Sequence, residues 1–108
     1  MTQPPKRYTQ FISDHPEIGR AYKDLGEAIT QAGPLDEKQI ALIKVGISTG
    51  ARMEGALRSH VRKALGAGVS PAEIKHAVLL STTTIGFPNM MAALSWLDDL
   101  VEADNDSK

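Results

Sequence analysis

The chain has no cysteine. That absence removes a disulfide framework, a thiolate zinc site and any redox step that a thiol of this chain would carry out. It also lacks an excess of either charge: 12 Lys and Arg stand against 13 Asp and Glu, a formal charge of -1. No global field therefore draws it to nucleic acid or to an anionic membrane, and neither is expected as a partner. The lead-in Met1-Thr2-Gln3-Pro4-Pro5-Lys6-Arg7 has no apolar stretch of the signal-peptide kind, which makes the cytoplasm the expected location. His76 to Leu97 carries no Lys, Arg, Asp or Glu, yet Gly86 and Pro88 interrupt it, and His76, Ser81, Thr82, Thr83, Thr84 and Asn89 would be costly in lipid. It reads as two buried helices joined by a turn. Sustained period-two alternation is missing, so no strand is predicted. His15, His60 and His76 fall on separate elements and no pair of ligands is spaced i,i+4, so neither a metal site nor a prosthetic group is expected.

What remains is helical punctuation. Residues 1–10 and 102–108 read as flexible tails of a single domain spanning all 108 residues. Asp14, with Glu17 three residues on and Pro16 between them, predicts the start of a first helix; Ile18, Tyr22, Leu25 and Ile29 give it an apolar face, and Gly33-Pro34 ends it. Asp36 and Gln39 cap a second helix whose Ile40–Ile47 run is apolar nearly all round, Lys44 being its only charge. Such a helix is surrounded by protein, and in so small a chain part of that protein is expected to be another subunit. Gly46 and Gly50 within it suggest close approach of a neighbouring backbone, or, for Gly50, a helix end.

A third helix runs to Gly66. Met53, Ala56, Leu57, His60, Val61, Ala64 and Leu65 share one face of it, and Arg52, Glu54, Arg58, Ser59, Arg62 and Lys63 the other. Glu54, Arg58 and Arg62 stand four apart, a ladder that supports an isolated helix by about 0.2–0.5 kcal/mol per pair. Ser70-Pro71 with Glu73 opens a fourth helix extending to Ile85, with three threonines whose hydroxyls either bond back to the preceding turn or line a polar cavity. Pro88 then opens a fifth helix with Met90, Ala93, Leu94, Leu97, Leu100 and Val101 as its stripe. The fold class is therefore all-α, of about five helices, with the second, third and fourth at its centre.

His60 is the one polar ring in the apolar seam of the third helix. It is either a satisfied core residue, bonded to a threonine or a backbone carbonyl, or the working group of a ligand site. His76, beside Lys75, is a second candidate that reads better as a surface or interface residue.

Leu35-Asp36-Glu37-Lys38, Leu42-Ile43, Leu57-x-x-His60-Val61-Arg62-x-Ala64-Leu65-x-Ala67-Gly68, Pro71-x-Glu73-Ile74 and Gly86-Phe87-Pro88 with Ala92-Ala93-Leu94 resemble, in that order, the carboxymuconolactone decarboxylase and alkylhydroperoxidase D superfamily. The resemblance covers residues 35 to 97. It implies an all-helical protomer that assembles as a homo-oligomer, a trimer or hexamer, with its site near a subunit boundary. The peroxidase branch uses a Cys-x-x-Cys pair, a His four residues after its second Cys, and an upstream Glu; the positions corresponding to these are Met53, Ala56, His60 and Ala41. Only the His survives, so peroxiredoxin-type activity is disfavoured.

The decarboxylase branch does without the cysteines. Its Glu- and Arg-containing run ending in His is similar to Glu54-x-x-Leu57-Arg58-x-His60 and implies a lyase or isomerase in which His60 is the general acid or base acting on a small carboxylated substrate, with Arg52, Arg58 or Arg62 to hold the carboxylate; beside that resemblance, Met53 as a flexible apolar side chain and Thr83 as a hydroxyl facing the third helix complete the substrate-binding candidates with Arg58 and Glu54. The other reading is a catalytically silent oligomer that binds a ligand or partner on the same scaffold.

Overall fold

The computed structural model describes residues 6–106, with side chains as far as residue 100. Pro4, Pro5 and the side chain of Val101 lie outside the described residues. Among those described there is no strand; there are six helices of nine residues or more and one four-residue turn. They are α1 (Lys6–Asp14), α2 (Pro16–Thr30), α3 (Glu37–Gly50), α4 (Glu54–Gly66), α5 (Pro71–Leu79), the turn α6 (Thr82–Ile85) and α7 (Phe87–Asp106). No described helix is long and apolar enough to cross a membrane. The backbone separates into two compact units, one holding α1 and α2, the other α3 to α7.

The first unit corrects the reading of the lead-in. Lys6 to Gln10, expected in an unstructured tail, are the opening turns of α1, whose Phe11 and Ile12 are half-buried. Asp14 consequently does not cap α2. It closes α1, where its Oδ1 accepts a bond from Gln10 Nε2 at 2.8 Å, and His15 takes the N-cap place without a side-chain bond. Pro16 is the first residue of α2, where a missing N–H costs nothing. The two helices close on Gly19, the buried residue of α2: a Cβ built there would stand 2.7 Å from Ile12 Cδ1. Ile18, Tyr22, Leu25 and Ile29, the predicted packing stripe, are exposed.

In the second unit, the capping box read at Asp36 and Gln39 is present in both directions: Gln39 N–H donates to Asp36 Oδ1 at 2.8 Å, and Asp36 N–H to Gln39 Oε1 at 3.0 Å. The same holds at Ser70 and Glu73. α3 stops at Gly50 and a three-residue link turns the chain into α4, Arg52 taking a left-handed φ of 57° and Met53 N–H donating to the Ser48 carbonyl at 3.0 Å. α3 and α4 then run back to back, burying residues from the turn end (Ser48, Leu57) to the far end (Ala41, Ala64).

The core joins Ala41 and Val45 of α3, Leu57, Val61 and Ala64 of α4, Val69, Ile74 and Val78 of α5, and Met90, Ala93, Leu97 and Leu100 of α7. Fully burying a Val, Leu or Ile side chain contributes about 1.5–3 kcal/mol, an upper figure because unfolded chains are already partly collapsed. Trp96 and Leu94 pack against this cluster from its edge.

The fourth predicted helix is divided. α5 ends at Leu79, where Ser81 Oγ donates to the Val78 carbonyl at 2.7 Å and Thr82 Oγ1 to the Leu79 carbonyl at 2.7 Å. Hydroxyls bonded back in this way compete with the helix ladder. Gly86, at a φ of 100° that a side chain would oppose, completes the break, and α7 follows with Pro88 in its first turn. The tail read as flexible from Glu102 continues α7 to Asp106.

Candidate functional site

Around α4, Leu57, Val61 and Ala64 point into the core and His60 lies at the margin of that face, half-buried. Its ring makes no hydrogen bond to any described protein group, threonine or carbonyl included. Burial lowers its pKa below the ordinary histidine value, because a charged imidazolium is poorly solvated there; the ammonium groups of Lys63 and Lys44 push it the same way. At neutral pH the ring is therefore neutral and able to accept a proton.

Lys63 stands one turn along α4, at i+3 from His60. The helical-wheel division placed it with the opposite face, but three residues amount to only 60° of rotation. Lys44 comes from α3. It lies eight residues before Arg52, the middle of the α3–α4 link, and His60 lies eight after it. At 1.5 Å per residue both stand about 12 Å from the turn, at the same height on neighbouring helices. Sequence reading noted Lys44 as a lone charge without connecting it to His60; equal spacing on either side of Arg52, just after the Gly50 break, was the available signal.

The other predicted residues are placed as follows. Arg58 pairs with Glu54 of its own helix, Nη2 to Oε2 at 2.9 Å and Nε to Oε2 at 3.0 Å. Both are part-exposed, so the pair supports the helix by tenths of a kcal/mol at most, roughly 0.3–0.5. Its guanidinium is engaged on the outer surface. Met53 is exposed at the N-cap of α4 and Thr83 is exposed on α6. Thr82 is committed to the Leu79 carbonyl. The structure thus brings Lys44, His60 and Lys63 together, and Glu54 with Arg58, but does not join Thr83 to either group. Ala41 is buried, and Ala56 is half-buried one turn before His60.

A groove of about 590 Å³ lies elsewhere in this unit, between Leu42, Ile43, Gly46 and Gly50 of α3 and Glu73, His76, Ala77, Leu80, Ser81, Thr84 and Ile85. None of the five predicted site residues lines it. The groove is lined mostly by apolar side chains, with Glu73 and His76 at its wall, while His60 has the lowered pKa; the candidate site is placed at His60 because proton transfer needs a titrating group in the right state. His76 is exposed at the groove wall, as the surface reading had it.

No described group of three or more His, Asp or Glu side chains is arranged to hold a metal ion. No curated protein matches the chain, and no solved structure does. Residues 16–99 do match a known family, beginning at the first residue of α2, nineteen positions before the resemblance read from residues 35 to 97, and ending within α7. By that match, over most of its length, the chain belongs to the carboxymuconolactone decarboxylase family.

Proposed function

We propose that the protein is a lyase or isomerase acting on a small carboxylated, enolisable substrate, with His60 as its proton-transfer group and no cofactor taking part. The observation that carries this reading is a half-buried imidazole with no hydrogen bond to protein and a lowered pKa. A fully buried histidine has its ring nitrogens bonded within the protein; one at the edge of the core with neither bonded is open to solvent and to a ligand. Because the neutral form is favoured, His60 starts as the base. It removes a proton from carbon next to a carbonyl or carboxylate and returns it to the product. Thiol-dependent peroxide chemistry by the family's other route has no nucleophile here, since Met53 and Ala56 stand at both cysteine positions.

The proposal includes a homo-oligomer. Ile43 and Ile47 on α3, with Leu80 after α5, are large apolar side chains left in solvent on one side of the second unit, and Gly46 and Gly50 between them have nothing within 4 Å of a built Cβ. The same surface favours the alternative reading of a catalytically silent oligomer, which needs the interface and not the base.

His60→Ala decides between them. The variant is compared with the parent for helix content, oligomer size and deuterium incorporation from solvent into a panel of small β-keto and unsaturated lactone acids. Retained fold and size with exchange reduced by about 10²-fold or more supports the proton-transfer role. Undiminished exchange in the variant refutes it, and a parent that binds acids without exchanging them is the silent form.

A further inference from the structure

We infer that Lys44 and Lys63 are positioning residues that hold the carboxylate of an organic anion against His60, an inference resting on the reading of His60 as ligand-facing. The argument begins with unpaired charge. Lys44 is the single charged residue between Ile40 and Ile47 and is half-buried. Its neighbours one turn away on α3 are Ile40, Ala41, Ile47 and Ser48; those of Lys63 on α4 are Ser59, His60, Gly66 and Ala67. None is acidic. The only ion pair among the described residues is Arg58 with Glu54, so the nearby carboxylate of Glu54 is already engaged.

Two cations without counter-ions therefore flank a ring without a hydrogen-bond partner. Lys44 reaches it from α3 at the same height above the turn, and Lys63 from the next turn of α4. Among the described side chains, these are the two charged groups that lower the ring's pKa. Lys63 is exposed and Lys44 half-buried, so it is at Lys44 and the ring that like charge is least well solvated and that an ammonium–carboxylate bond is stronger than in bulk water. The arrangement also moves the anion-holding role away from Arg58, which faces outward. A carboxylate held between the lysines lies beside the imidazole, and the carbon it carries comes within the base's reach. The competing account is that Lys44 runs its stem over apolar surface and leaves its ammonium in water, which would give no preference for any anion.

The test is an NMR titration of the three histidines in the full-length protein, with His60 assigned by its loss in His60→Ala. Disodium fumarate is the probe, against sodium chloride at equal ionic strength. In the parent, fumarate raises the His60 midpoint and chloride does not. Lys44→Met, an apolar side chain of similar length, raises that midpoint without any ligand and weakens fumarate binding by about tenfold, the loss of one charge-assisted bond. Lys44→Arg keeps the charge and retains most of the binding; Lys63→Met gives a smaller loss of the same kind. Fumarate no more effective than chloride, or as effective on both Met variants as on the parent, overturns the inference. The outcome is separable from that of the proton-transfer reading: fumarate held by Lys44 in a protein whose His60→Ala variant exchanges deuterium normally supports the lysines and removes the base.

Discussion

At the scale of single residues, the state of His60 sets the pH behaviour. Its pKa in the folded chain is below the ordinary value of 6.5, from burial first and from Lys63 and Lys44 next. Above the unfolded value both states are neutral and the ring has no effect on stability. As pH falls through the interval between 6.5 and the lower folded value, the unfolded chain takes up the proton more readily, so stability is lost and stays lost below it. The parent is therefore expected to show a falling denaturant midpoint on acidification from about pH 6.5, an interval named by the reference histidine value, and His60→Gln to flatten that segment. Turnover, with the neutral ring as base, follows the same limb: its midpoint lies below the pH at which a free histidine would be half-neutral, and Lys44→Met displaces the limb upward. A turnover limb centred above 6.5 would contradict the assignment. His60 was legible in the sequence because a polar ring in an apolar stripe is a local anomaly. Its surroundings were not: no described threonine bonds the ring, and the buried threonine of this unit is Thr49, whose Oγ1 donates to the Val45 carbonyl at 2.9 Å.

At the scale of elements, stability is set by how each helix begins. α5 is nine residues long and its first turn is held by two reciprocal bonds: Ser70 N–H to Glu73 Oε1 at 2.8 Å and Glu73 N–H to Ser70 Oγ at 3.1 Å. The Ser70 backbone N–H, then its side chain, keep the Glu73 carboxyl below its usual range. Ser70→Ala removes the second bond and leaves the first, so a loss of about 1 kcal/mol is expected, read from chemical denaturation at pH 7, with the Glu73 titration moving upward. An unchanged midpoint would mean that α5 is held by Ile74 and Val78 alone. Boxes of this kind are legible because both partners lie within three residues and no distant contact is needed. Asp14 shows the limit of that reasoning. With Glu17 it satisfies the same pattern, yet α1 extends into it and claims its carboxylate through Gln10, so the cap falls to His15. The division of α5 from α6 escaped for a related reason: three threonines and a serine are compatible with continuing a helix or with bonding back, and the hydroxyl geometry decides.

At the scale of the whole molecule, the apolar circumference of α3 was read as needing cover, and the chain supplies it on one side only. Ala41 and Val45 are in the core, while Ile43 is 47% and Ile47 64% exposed, and Leu80 across the groove is 63% exposed. Gly46 and Gly50, which a neighbouring backbone was expected to approach, meet nothing from this chain. A sequence cannot separate cover from within the chain from cover by another copy, because both select the same residues. Contiguous apolar surface of this kind marks an interaction site, and burying an Ile at about 25 cal/mol per Å² repays the association only if several such residues are buried together. Ile47→Lys discriminates. Its side chain is already in solvent in the isolated chain, so the substitution leaves the helix content and the core of a monomer unchanged. If copies meet on this face, each interface acquires a buried ammonium without a partner, a cost of several kcal/mol that splits the assembly. Light scattering is therefore expected to give a multiple of 11.6 kDa for the parent and 11.6 kDa for Ile47→Lys, with equal far-ultraviolet circular dichroism. A parent that runs as a monomer would refute the assembly, and a variant that keeps the parent's size would place the contact elsewhere; either leaves the α3 groove open to a different occupant.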